Sequence, residues 1–359
     1  AFQRWSAPLL LPCVPITMSA PSAQRRWPVR VAVVGAGLSG LACARTLAQR
    51  GVGVRVFDKA RAPAGRVSTR RTDTLAFDHG AQYFTVRDPS FRLFVESLQR
   101  DGVVQPWQGE VVRLQDGQIE PTESETERWV GVPAMNVLAH RLVEDLDVTT
   151  GFEVAVIEPC GGGMRLLSVD GACCSDFDLV IVSAPGPQTA SLVQSVAPGI
   201  AEQARCAQFA PCLAAMLAFE GRLPLDFDGA FVAESPLSWI ARNSSKPGRS
   251  ADEAWVLHGS PDWSTANLER DPSMVLASLL GAFAEAVGIA VPEPAAATVQ
   301  RWRYALPTEP LPERYLFDAG AAVGACGDWC GGPRVEGAYL SGVAMATRVL
   351  AWVAGSEDP

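Results

Sequence analysis

The sequence contains few of the residues on which metal and nucleic-acid binding depend. Its 359 residues include only three histidines and two lysines, and its net charge is −9 because 39 acidic residues outnumber 30 basic ones. Nucleic acids and anionic membranes bind basic patches, so this charge argues against both as partners. The nine cysteines form no Cys-x-x-Cys pair and no group with histidine at metal spacing. We therefore expect no metal site, and we expect reduced thiols in a cytoplasmic protein.

Long apolar runs are also missing. No segment approaches about 20 uninterrupted apolar residues, the length that spans a bilayer. Residues 1–28 hold five prolines and no periodic pattern, and their one apolar run is too short and too broken for a signal peptide. We predict a disordered N-terminal tail at 1–28, with Met18 as a candidate natural start. The remaining chain is long enough for one large domain or two intermingled ones.

Residues 29–58 carry the most informative motif of the chain. A β-branched run at 31–34 predicts a buried strand, and Gly35, Gly37 and Gly40 follow as G-x-G-x-x-G before an apolar helical pattern and a second strand that ends on Asp58. The glycines suit a tight turn, a close approach to pyrophosphate, and close helix–strand packing, in that order. The helix N-terminus attracts phosphate, and Asp58 can accept hydrogen bonds from ribose hydroxyls. This pattern predicts a Rossmann-type dinucleotide site.

A small, basic, turn-rich loop follows Asp58 and contains Ala64, Gly65 and Arg66. An arginine among small residues can approach a pyrophosphate from the side opposite the helix, so Arg66 is a candidate phosphate ligand. Together with the glycine motif, this loop and the run Phe-Asp-x-Gly-Ala-Gln-Tyr-Phe at 77–84 resemble the N-terminal third of amine-oxidase-type flavoproteins. Those proteins more often have Glu at the position of Asp58 and a double glycine where this chain has Ala64 and Gly65.

Within that superfamily, the chain is most similar to the bacterial renalase-like group. Three runs carry this finer resemblance, at 239–249, 255–258 and 301–305. The resemblance implies an α/β fold of p-hydroxybenzoate hydroxylase or amine-oxidase-like topology, with a discontinuous Rossmann-type FAD-binding domain and a mixed-sheet substrate domain. The expected FAD-binding segments are 29–87, 147–189 and 320–354. The expected substrate-domain segments are 88–146 and 190–319.

Noncovalent FAD is expected because no cysteine or histidine is assignable to covalent attachment, and the resemblance implies a set of residues that bind the cofactor. Val154 would place its backbone against the adenine, Ala184 belongs to a turn that returns to the cofactor sheet, and Asp328 can bind a ribityl hydroxyl. The N–H groups around 335–338 would face the flavin pyrimidine at a positive helix end. The expected FAD-binding residues are Gly35, Gly37, Gly40, Asp58, Lys59, Gly65, Arg66, Gln82, Tyr83, Phe84, Val154, Ala184, Gly327, Asp328, Val335, Glu336, Gly337 and Ala338.

The resemblance implies a renalase-type oxidase that converts the 2- and 6-dihydro isomers of NAD(P) to β-NAD(P)+. Dioxygen then takes up the electrons and gives hydrogen peroxide. No second G-x-G-x-x-G with its strand and helix is evident after Gly40, so a nicotinamide substrate must enter the flavin pocket directly. Hydride transfer from a ring carbon needs orientation rather than a general base. That requirement fits a chain with so few histidines and lysines.

Asn243, His258, Trp302 and Tyr304 are the candidate catalytic residues, with Arg242 or Arg301 available to a substrate phosphate or carboxamide. A structural role is the alternative to a catalytic one. His258 ends an apolar strand, which is typical of a histidine in a hydrophobic core, and Trp302 and Tyr304 are equally typical of core packing. His79 is expected to support the flavin loop rather than to act in catalysis.

Two other functions stay open. An amine oxidase or protoporphyrinogen oxidase-like enzyme would need a lysine near the flavin, and only Lys246 could serve because Lys59 adjoins the ribose acid. The Ser-Lys-Pro-Gly-Arg loop around Lys246 looks exposed, which counts against this alternative. The second alternative is an FAD-binding redox sensor without turnover.

Overall fold

The computed structural model describes residues 29–72, 75–115, 117–122 and 126–355. The tail predicted at 1–28 lies outside these residues. Within them the chain forms an α/β fold that contains a mostly parallel six-stranded sheet and a mixed seven-stranded sheet. The fold class predicted from the sequence is therefore confirmed. No helix in the described ranges combines the length and apolar character needed to cross a bilayer, and the eight cysteines within them are free thiols.

The helices and strands are numbered in chain order. The described strands are β1 (Arg30–Val34), β2 (Gly53–Asp58), β3 (Thr69–Arg71), β4 (Ala76–Asp78), β5 (Val104–Pro106), β6 (Val111–Gln115), β7 (Gln118–Pro121), β8 (Trp129–Gly131), β9 (Asp147–Thr150), β10 (Val154–Cys160), β11 (Gly163–Ser168), β12 (Cys173–Phe177), β13 (Leu179–Val182), β14 (Gln208–Phe219), β15 (Gly229–Val232), β16 (Leu237–Arg242), β17 (Glu253–Gly259), β18 (Ala296–Glu309), β19 (Leu316–Asp318) and β20 (Val323–Ala325). The described α-helices are α1 (Leu38–Ala48), α2 (Pro89–Arg100), α3 (Val137–Val143), α4 (Gly186–Val193), α5 (Pro198–Cys206), α6 (Pro261–Ala266), α7 (Pro272–Val287) and α8 (Arg334–Val353).

The six-stranded sheet has the order β19-β20-β13-β1-β2-β9, and all neighbours are parallel except β19 and β20. Side chains alternate across a strand, so β1 contributes to two cores. Val31 and Val33 pack with helices α1 and α8, whereas Ala32 and Val34 pack with α4, α5 and the small sheet β10-β11-β12. The strand–turn–helix–strand unit predicted at 29–58 is confirmed by β1, α1 and β2.

The seven-stranded sheet has the order β18-β14-β17-β16-β15-β6-β7. One face is covered by helix α7, where Leu213 and Leu257 of the sheet pack against Phe283. The opposite face meets the hairpin formed by β3 and β4, where Met216 packs with Phe77. We call this second side the hairpin face. Residues of neighbouring strands share a face in register, so the hydrogen-bonded pairs show which side chains point toward the hairpin.

The strands of the six-stranded sheet come from three separated parts of the chain, at 30–58, 147–182 and 316–325. Strand β19 begins at Leu316, a few residues before the third FAD-binding segment predicted from the sequence. Helices α2 and α3 contribute to the same core as α1 and α8, although the sequence analysis placed both in the substrate domain. The division into domains stays a prediction, and these contacts favour assigning α2 and α3 to the dinucleotide-binding layer.

Candidate functional site

The glycine motif forms a tight turn between β1 and α1 at the carboxyl end of the parallel sheet. Gly35 has φ +111°, a conformation that favours glycine, and its N–H donates to the Phe57 carbonyl at 2.7 Å. A Cβ at Gly40 would overlap the Gly35 carbonyl oxygen and lie 3.0 Å from the Ser183 Cβ. A Cβ at Gly37 would meet nothing within 4 Å. The turn is therefore closed on its sheet side and open beside Gly37.

The end of β2 and the loop after it face this turn. The Asp58 carboxylate accepts hydrogen bonds from the Ala36 N–H at 2.6 Å and the Ala60 N–H at 2.7 Å. Ala64 forms a backbone bridge with Gly37 and has φ 148°, which favours glycine; it occupies the first position of the double glycine found in the resembling flavoproteins. Gly65 also has a positive φ, +56°. The loop thus lies against the glycine turn.

Arg66 and Asp328, predicted separately, form an ion pair. The two guanidinium Nη atoms donate to the two carboxylate oxygens at 2.7 and 2.6 Å, and Arg66 also donates to the Ala305 carbonyl at 3.1 Å. The Asp328 side chain is buried and the Arg66 side chain is 30% exposed. The pair joins the loop after β2, the loop after β20 and strand β18. Nearby, the Gly327 N–H donates to the Ser341 hydroxyl at 2.9 Å.

The remaining residues expected to bind the cofactor fall into three groups. Phe84 and Val335 are buried in the core with α1 and α8, and half-buried Tyr83 and Ala338 pack against that core. Val154 lies near the end of β2, since the Phe152 N–H donates to the Asp58 carbonyl. The Ala184 carbonyl accepts a hydrogen bond from the Trp329 indole at 3.0 Å.

Lys59 is exposed and pairs with Glu153 at 3.8 Å. Glu336 accepts from the Arg87 and Asp88 amides, and Gly337 lies against the Gly332 carbonyl.

The cradle so formed fits a dinucleotide. Helices α1 and α8 both begin without a side-chain cap, so their first N–H groups remain available to an anion. The open space beside Gly37 lies next to the first of these helix ends. Asp58 and the ion pair of Arg66 and Asp328 supply polar groups on either side of the glycine turn.

A buried polar cluster lies between the hairpin and the turn that follows β16. We call its five members, Asp78, Gln82, Asn243, Lys246 and Arg249, the Asp78 cluster. The Asp78 Oδ2 atom lies 3.5 Å from the Lys246 Nζ and 2.5 Å from an Arg249 Nη atom. Lys246 also donates to the Gln82 Oε1 at 3.1 Å and the Asn243 Oδ1 at 3.0 Å. The Asn243 amide donates to the Ala76 carbonyl at 2.6 Å.

The expectation that Lys246 is exposed is wrong. The side chain of Lys246 is fully buried, because the short turn at 243–245 leads the chain back beneath β4, where Asp78 supplies a counter-charge. Burial alone would raise the pKa of Asp78, but the charges of Lys246 and Arg249 hold that pKa below 3.8. Burial lowers the pKa of Lys246 to about 8 against the pull of Asp78. Lys246 is therefore mostly protonated at pH 7.

A second group, formed by His79, His258 and Trp302, lies beside the Asp78 cluster. The His79 and Trp302 rings stack at 5.2 Å, and the Trp302 indole donates to the His79 carbonyl at 2.9 Å. Burial lowers the pKa of both histidines to about 4, helped by the charge of Arg70 at His79 and of Lys246 at His258. Both imidazoles are therefore neutral at pH 7. The His79 Nδ1 and the His258 Nε2 are buried and have no hydrogen-bond partner among the residues that the structure describes.

The register of β18 shows which of the other candidates reach this site. Trp302 pairs with Cys212, while Gln300 pairs with Ala214, which itself pairs with His258 on β17. These residues therefore lie on the hairpin face. Tyr304 lies beyond, where the register shifts, and its ring packs edge-to-face on Phe209 at 5.7 Å. Among the described aromatic pairs, the ring stacked on His79 is that of Trp302, whereas the ring of Tyr304 is paired with Phe209.

The two arginines expected to bind substrate are both occupied elsewhere. Arg242 is buried and donates to Asp228, to Glu253 and to three backbone carbonyls of the 223–227 loop. Arg301 pairs with Leu213 on β14, so it lies on the helix α7 face, where it contacts Glu269 at 3.1 Å. The expectation that either arginine is available to a substrate in the flavin pocket is wrong. Sequence periodicity gives the alternation of a strand but not which face meets the cofactor.

The central positions of Asp78, Arg249 and Arg70 were not predicted from the sequence. Asp78 lies within the run at 77–84 that carried the resemblance, and it is a charged residue directly after two apolar residues of a short strand. That pattern is a usable signal for a buried, paired carboxylate. Arg70 and Arg249 lie in basic, turn-rich stretches that carry no comparable signal.

Comparison with known families agrees with the geometry of the cradle. Residues 33–98 match the model of the NAD(P)-binding Rossmann-like domain, and residues 117–350 match the model described as flavin containing amine oxidoreductase. Among curated proteins, 4,4'-diapophytoene desaturase of Staphylococcus haemolyticus is 41% identical over 70 residues, which are 20% of this chain and 14% of that protein. Protoporphyrinogen oxidase 2 of Arabidopsis thaliana is 39% identical over 69 residues, 19% of this chain and 14% of that protein. The matched stretches therefore span only about a seventh of these relatives.

Solved structures show the same fold over most of the chain. A protein from Exiguobacterium sp. 255-15, described as a candidate protoporphyrinogen oxidase, superposes with a TM-score of 0.72 at 13% identity and covers 89% of this chain and 98% of its own. Wild-type putrescine oxidase bound to putrescine superposes with a TM-score of 0.65 at 14% identity, covering 90% and 99%. The cradle, the fold and the family match over 117–350 agree: this chain belongs to the family of flavin-containing amine oxidoreductases, and its cofactor is FAD.

Proposed function

We propose that this protein is an FAD-dependent oxidase of renalase type that oxidises the 2- and 6-dihydro isomers of NAD(P) to β-NAD(P)+. When bound, FAD accepts a hydride and passes the electrons to dioxygen, which yields hydrogen peroxide. The residues that would hold it are Gly35, Gly37, Gly40, Asp58, Lys59, Gly65, Arg66, Gln82, Tyr83, Phe84, Val154, Ala184, Gly327, Asp328, Val335, Glu336, Gly337 and Ala338. Of these, Gln82 also belongs to the Asp78 cluster, which would lie beside the flavin.

The charge around the hairpin is the observation that carries this proposal. Lys246 and Arg249 share the carboxylate of Asp78, and the acceptors found for Arg70 among the described residues, Thr298 and Gln300, are neutral. Among these described side chains, three cations therefore accompany one carboxylate. An amine substrate arrives as a cation and would be repelled, whereas the two phosphates of a dinucleotide would be attracted. This balance of charge favours an anionic substrate.

The protonation states also suit hydride transfer. At pH 7 His79 and His258 are neutral and cannot act as cationic acids. The Lys246 ammonium already donates to Asp78, Gln82 and Asn243, so it is not free to take up a proton. A hydride can leave a dihydropyridine ring carbon without a base if the ring is held in position. Trp302 and His79, already stacked, offer aromatic surface for that ring.

In this proposal the candidate catalytic residues take different roles. His258 presents an unpaired Nε2 and Trp302 presents its ring, so both would contact the substrate. Asn243 is a positioning residue, because both ends of its amide are used by Lys246 and the Ala76 carbonyl. Tyr304 would act only at the edge of the pocket, where it packs on Phe209.

A protoporphyrinogen oxidase-like reaction is the second candidate. It fits the curated relative and the solved structure that carry that description, and it would also use an anionic substrate. The burial of Lys246 beside Asp78 removes the objection that this lysine is exposed. An amine substrate fits less well because of the cationic excess.

Anaerobic stopped-flow tests these alternatives on the FAD-loaded protein. Flavin absorbance is followed after mixing with 2-dihydro-NAD, 6-dihydro-NAD, ordinary 4-dihydro-NAD, protoporphyrinogen and putrescine. We expect rapid bleaching by the 2- and 6-isomers alone and equimolar peroxide after oxygen is admitted. Bleaching by protoporphyrinogen or putrescine instead would refute the renalase-type function. A flavin that no donor bleaches would support a redox sensor.

The pocket assignment is tested with His258→Leu. Because the substrate contacts His258, we expect His258→Leu to slow bleaching by the 2- and 6-isomers by at least about 10-fold, the effect of one lost hydrogen bond in a dry site. Arg301→Gln, on the other face of β18, is the matched control and should leave the rate unchanged. An equal loss in both variants would show a general effect on folding or flavin loading.

A further inference from the structure

Arg70 extends from β3 of the hairpin to strand β18. Its Nη1 donates to the Thr298 hydroxyl at 3.2 Å and its Nη2 donates to the Gln300 side-chain oxygen at 2.9 Å. Thr298 pairs with Met216 and Gln300 pairs with Ala214, so both lie on the hairpin face together with Trp302. The guanidinium is close enough to His79 for its charge to help lower the pKa of that ring. Arg70 thus lies beside the proposed substrate pocket.

The guanidinium of Arg70 has no counter-charge among the described residues. Both its acceptors are neutral, and no ion pair found in the described ranges includes it. The other arginines of the site differ: Arg66 pairs with Asp328 and Arg249 with Asp78. Arg70 is half-buried, and a guanidinium removed from water gains from an anionic partner.

The remaining donors of Arg70 suit a phosphate. A guanidinium has five N–H donors, and two of them are used on Thr298 and Gln300. The other three are unassigned, and a planar guanidinium can donate two parallel hydrogen bonds to one phosphate. The two bonds to β18 also fix the plane of the group, so less side-chain entropy is lost when an anion binds.

We propose that Arg70 forms the anion subsite of the substrate pocket and binds a phosphate group of the dinucleotide substrate. This inference rests on the proposed function, and it assigns to Arg70 the task first expected of Arg242 or Arg301. The pocket would then have two parts. His79 and Trp302 would offer an aromatic surface to the dihydropyridine ring, and Arg70 would bind a phosphate. A purely structural Arg70, which only ties the hairpin to β18, is the alternative to be tested.

The test compares two ligands that carry a diphosphate with one that carries no phosphate. Oxidised β-NAD+, ADP-ribose and phosphate-free nicotinamide riboside are titrated into the FAD-loaded wild type and the variants Arg70→Gln and Arg70→Lys, and the shift in flavin absorbance gives each Kd. We expect Arg70→Gln to weaken β-NAD+ and ADP-ribose by roughly 10- to 100-fold, the effect of losing hydrogen bonds to a charged group. Nicotinamide riboside should bind the variant and the wild type equally. Arg301→Gln is the control for a lost surface charge and should change no Kd.

Several outcomes would overturn the proposal. Equal weakening of all three ligands would identify a structural role, and unchanged affinity for ADP-ribose would exclude a phosphate contact. If Arg70→Gln does not retain flavin, Arg70→Lys is decisive. It keeps the charge but loses the second parallel hydrogen bond of the guanidinium, so β-NAD+ and ADP-ribose should both weaken by a few-fold and nicotinamide riboside should not. Inorganic pyrophosphate tests whether the site needs the nucleoside. Competition of pyrophosphate with ADP-ribose would support a subsite for phosphate itself.

The failure of this inference is distinguishable from the failure of the proposed function. If no dihydro-NAD isomer bleaches the flavin but ADP-ribose binds and loses affinity in Arg70→Gln, the anion subsite stands and the donor is a different anionic compound. If the 2- and 6-isomers bleach the flavin but Arg70→Gln leaves every Kd unchanged, the proposed function stands and the subsite is refuted.

Discussion

The same substitution, glycine to alanine, should have opposite consequences at two positions three residues apart in the glycine motif. At Gly40 the new Cβ would overlap the Gly35 carbonyl oxygen and lie 3.0 Å from the Ser183 Cβ. These atoms belong to the turn and to the chain just after β13, so the overlap can be relieved only by moving helix α1 away from the sheet. At Gly37 a Cβ meets no atom within 4 Å.

The magnitudes follow from these surroundings. Alanine inside a helix is favoured over glycine by about 1 kcal/mol, whereas overpacking in a close-packed region costs about 1–3 kcal/mol and more when backbone must move. We therefore expect Gly40→Ala to lower the free energy of unfolding of the FAD-free protein by about 2 kcal/mol. Gly37→Ala has two opposite effects on the free energy of unfolding: alanine is a poorer N-cap, which lowers it, and alanine makes the unfolded chain less flexible, which raises it. These effects nearly cancel, so the free energy of unfolding should change by less than about 1 kcal/mol.

FAD affinity separates the two sites further. A methyl group at Gly37 would occupy the space through which a pyrophosphate approaches the backbone, so Gly37→Ala should weaken FAD binding at least about 10-fold, or about 1.4 kcal/mol. The assays are urea denaturation of the FAD-free protein and fluorescence titration with FAD. Gly281→Ala, in helix α7 with nothing within 4 Å of its Cβ, is the control and should raise stability without changing FAD affinity. The reasoning is refuted if Gly37→Ala destabilises the FAD-free protein as much as Gly40→Ala, or binds FAD as tightly as the wild type.

Three further predictions concern the buried polar groups. Asp78→Asn leaves two buried cations without a carboxylate and should lower the free energy of unfolding by about 3–5 kcal/mol; Glu269→Gln, which removes an exposed partner, should change it by less than about 1 kcal/mol in the same urea titration. The pKa of His79 is about 4 in the folded protein and 6.5 ordinarily, so its contribution to stability is fully present above pH 6.5 and is lost as the pH falls through 4. Denaturation at several pH values should show a decline of about 3 kcal/mol from this group, and the decline should be smaller in His79→Gln; an identical profile would contradict the assignment. Arg242→Met should lower stability by about 3–5 kcal/mol yet leave FAD affinity unchanged, and a loss of FAD affinity would show that the residue is part of the site after all.

The strand–helix–strand unit at 29–58 could be predicted from sequence because its signals are local. The strand at 31–34, the glycine turn, helix α1 and the acid that ends β2 lie within 30 residues, and each has its own periodicity or turn residue. The antiparallel strands of the second sheet were also predictable as strands. Their order, in which β6 and β7 join strands from much later in the chain, has no local signal.

The Asp78 cluster could not be predicted for a physical reason. The segment at 243–249 is rich in serine, proline, glycine and basic residues, a composition typical of an exposed turn. Lys246 is buried because Asp78, 168 residues away in sequence, supplies its counter-charge. A lone buried lysine would be costly, so the burial of one residue is decided by the presence of the other. Only the fold brings the two together.

Membership of the family does not by itself identify the substrate. Similar solved structures share 13–14% identity with this chain, a level at which the fold is common and the site residues need not be. The choice between a cationic amine and an anionic dinucleotide depends on the sign of a few buried charges. Here Asp78 is already shared by two cations and Arg70 faces the hairpin side of β18 with neutral acceptors. In the pocket proposed at this face, an ammonium group would meet no unshared carboxylate among the described residues, whereas a phosphate would supply an anionic partner for Arg70.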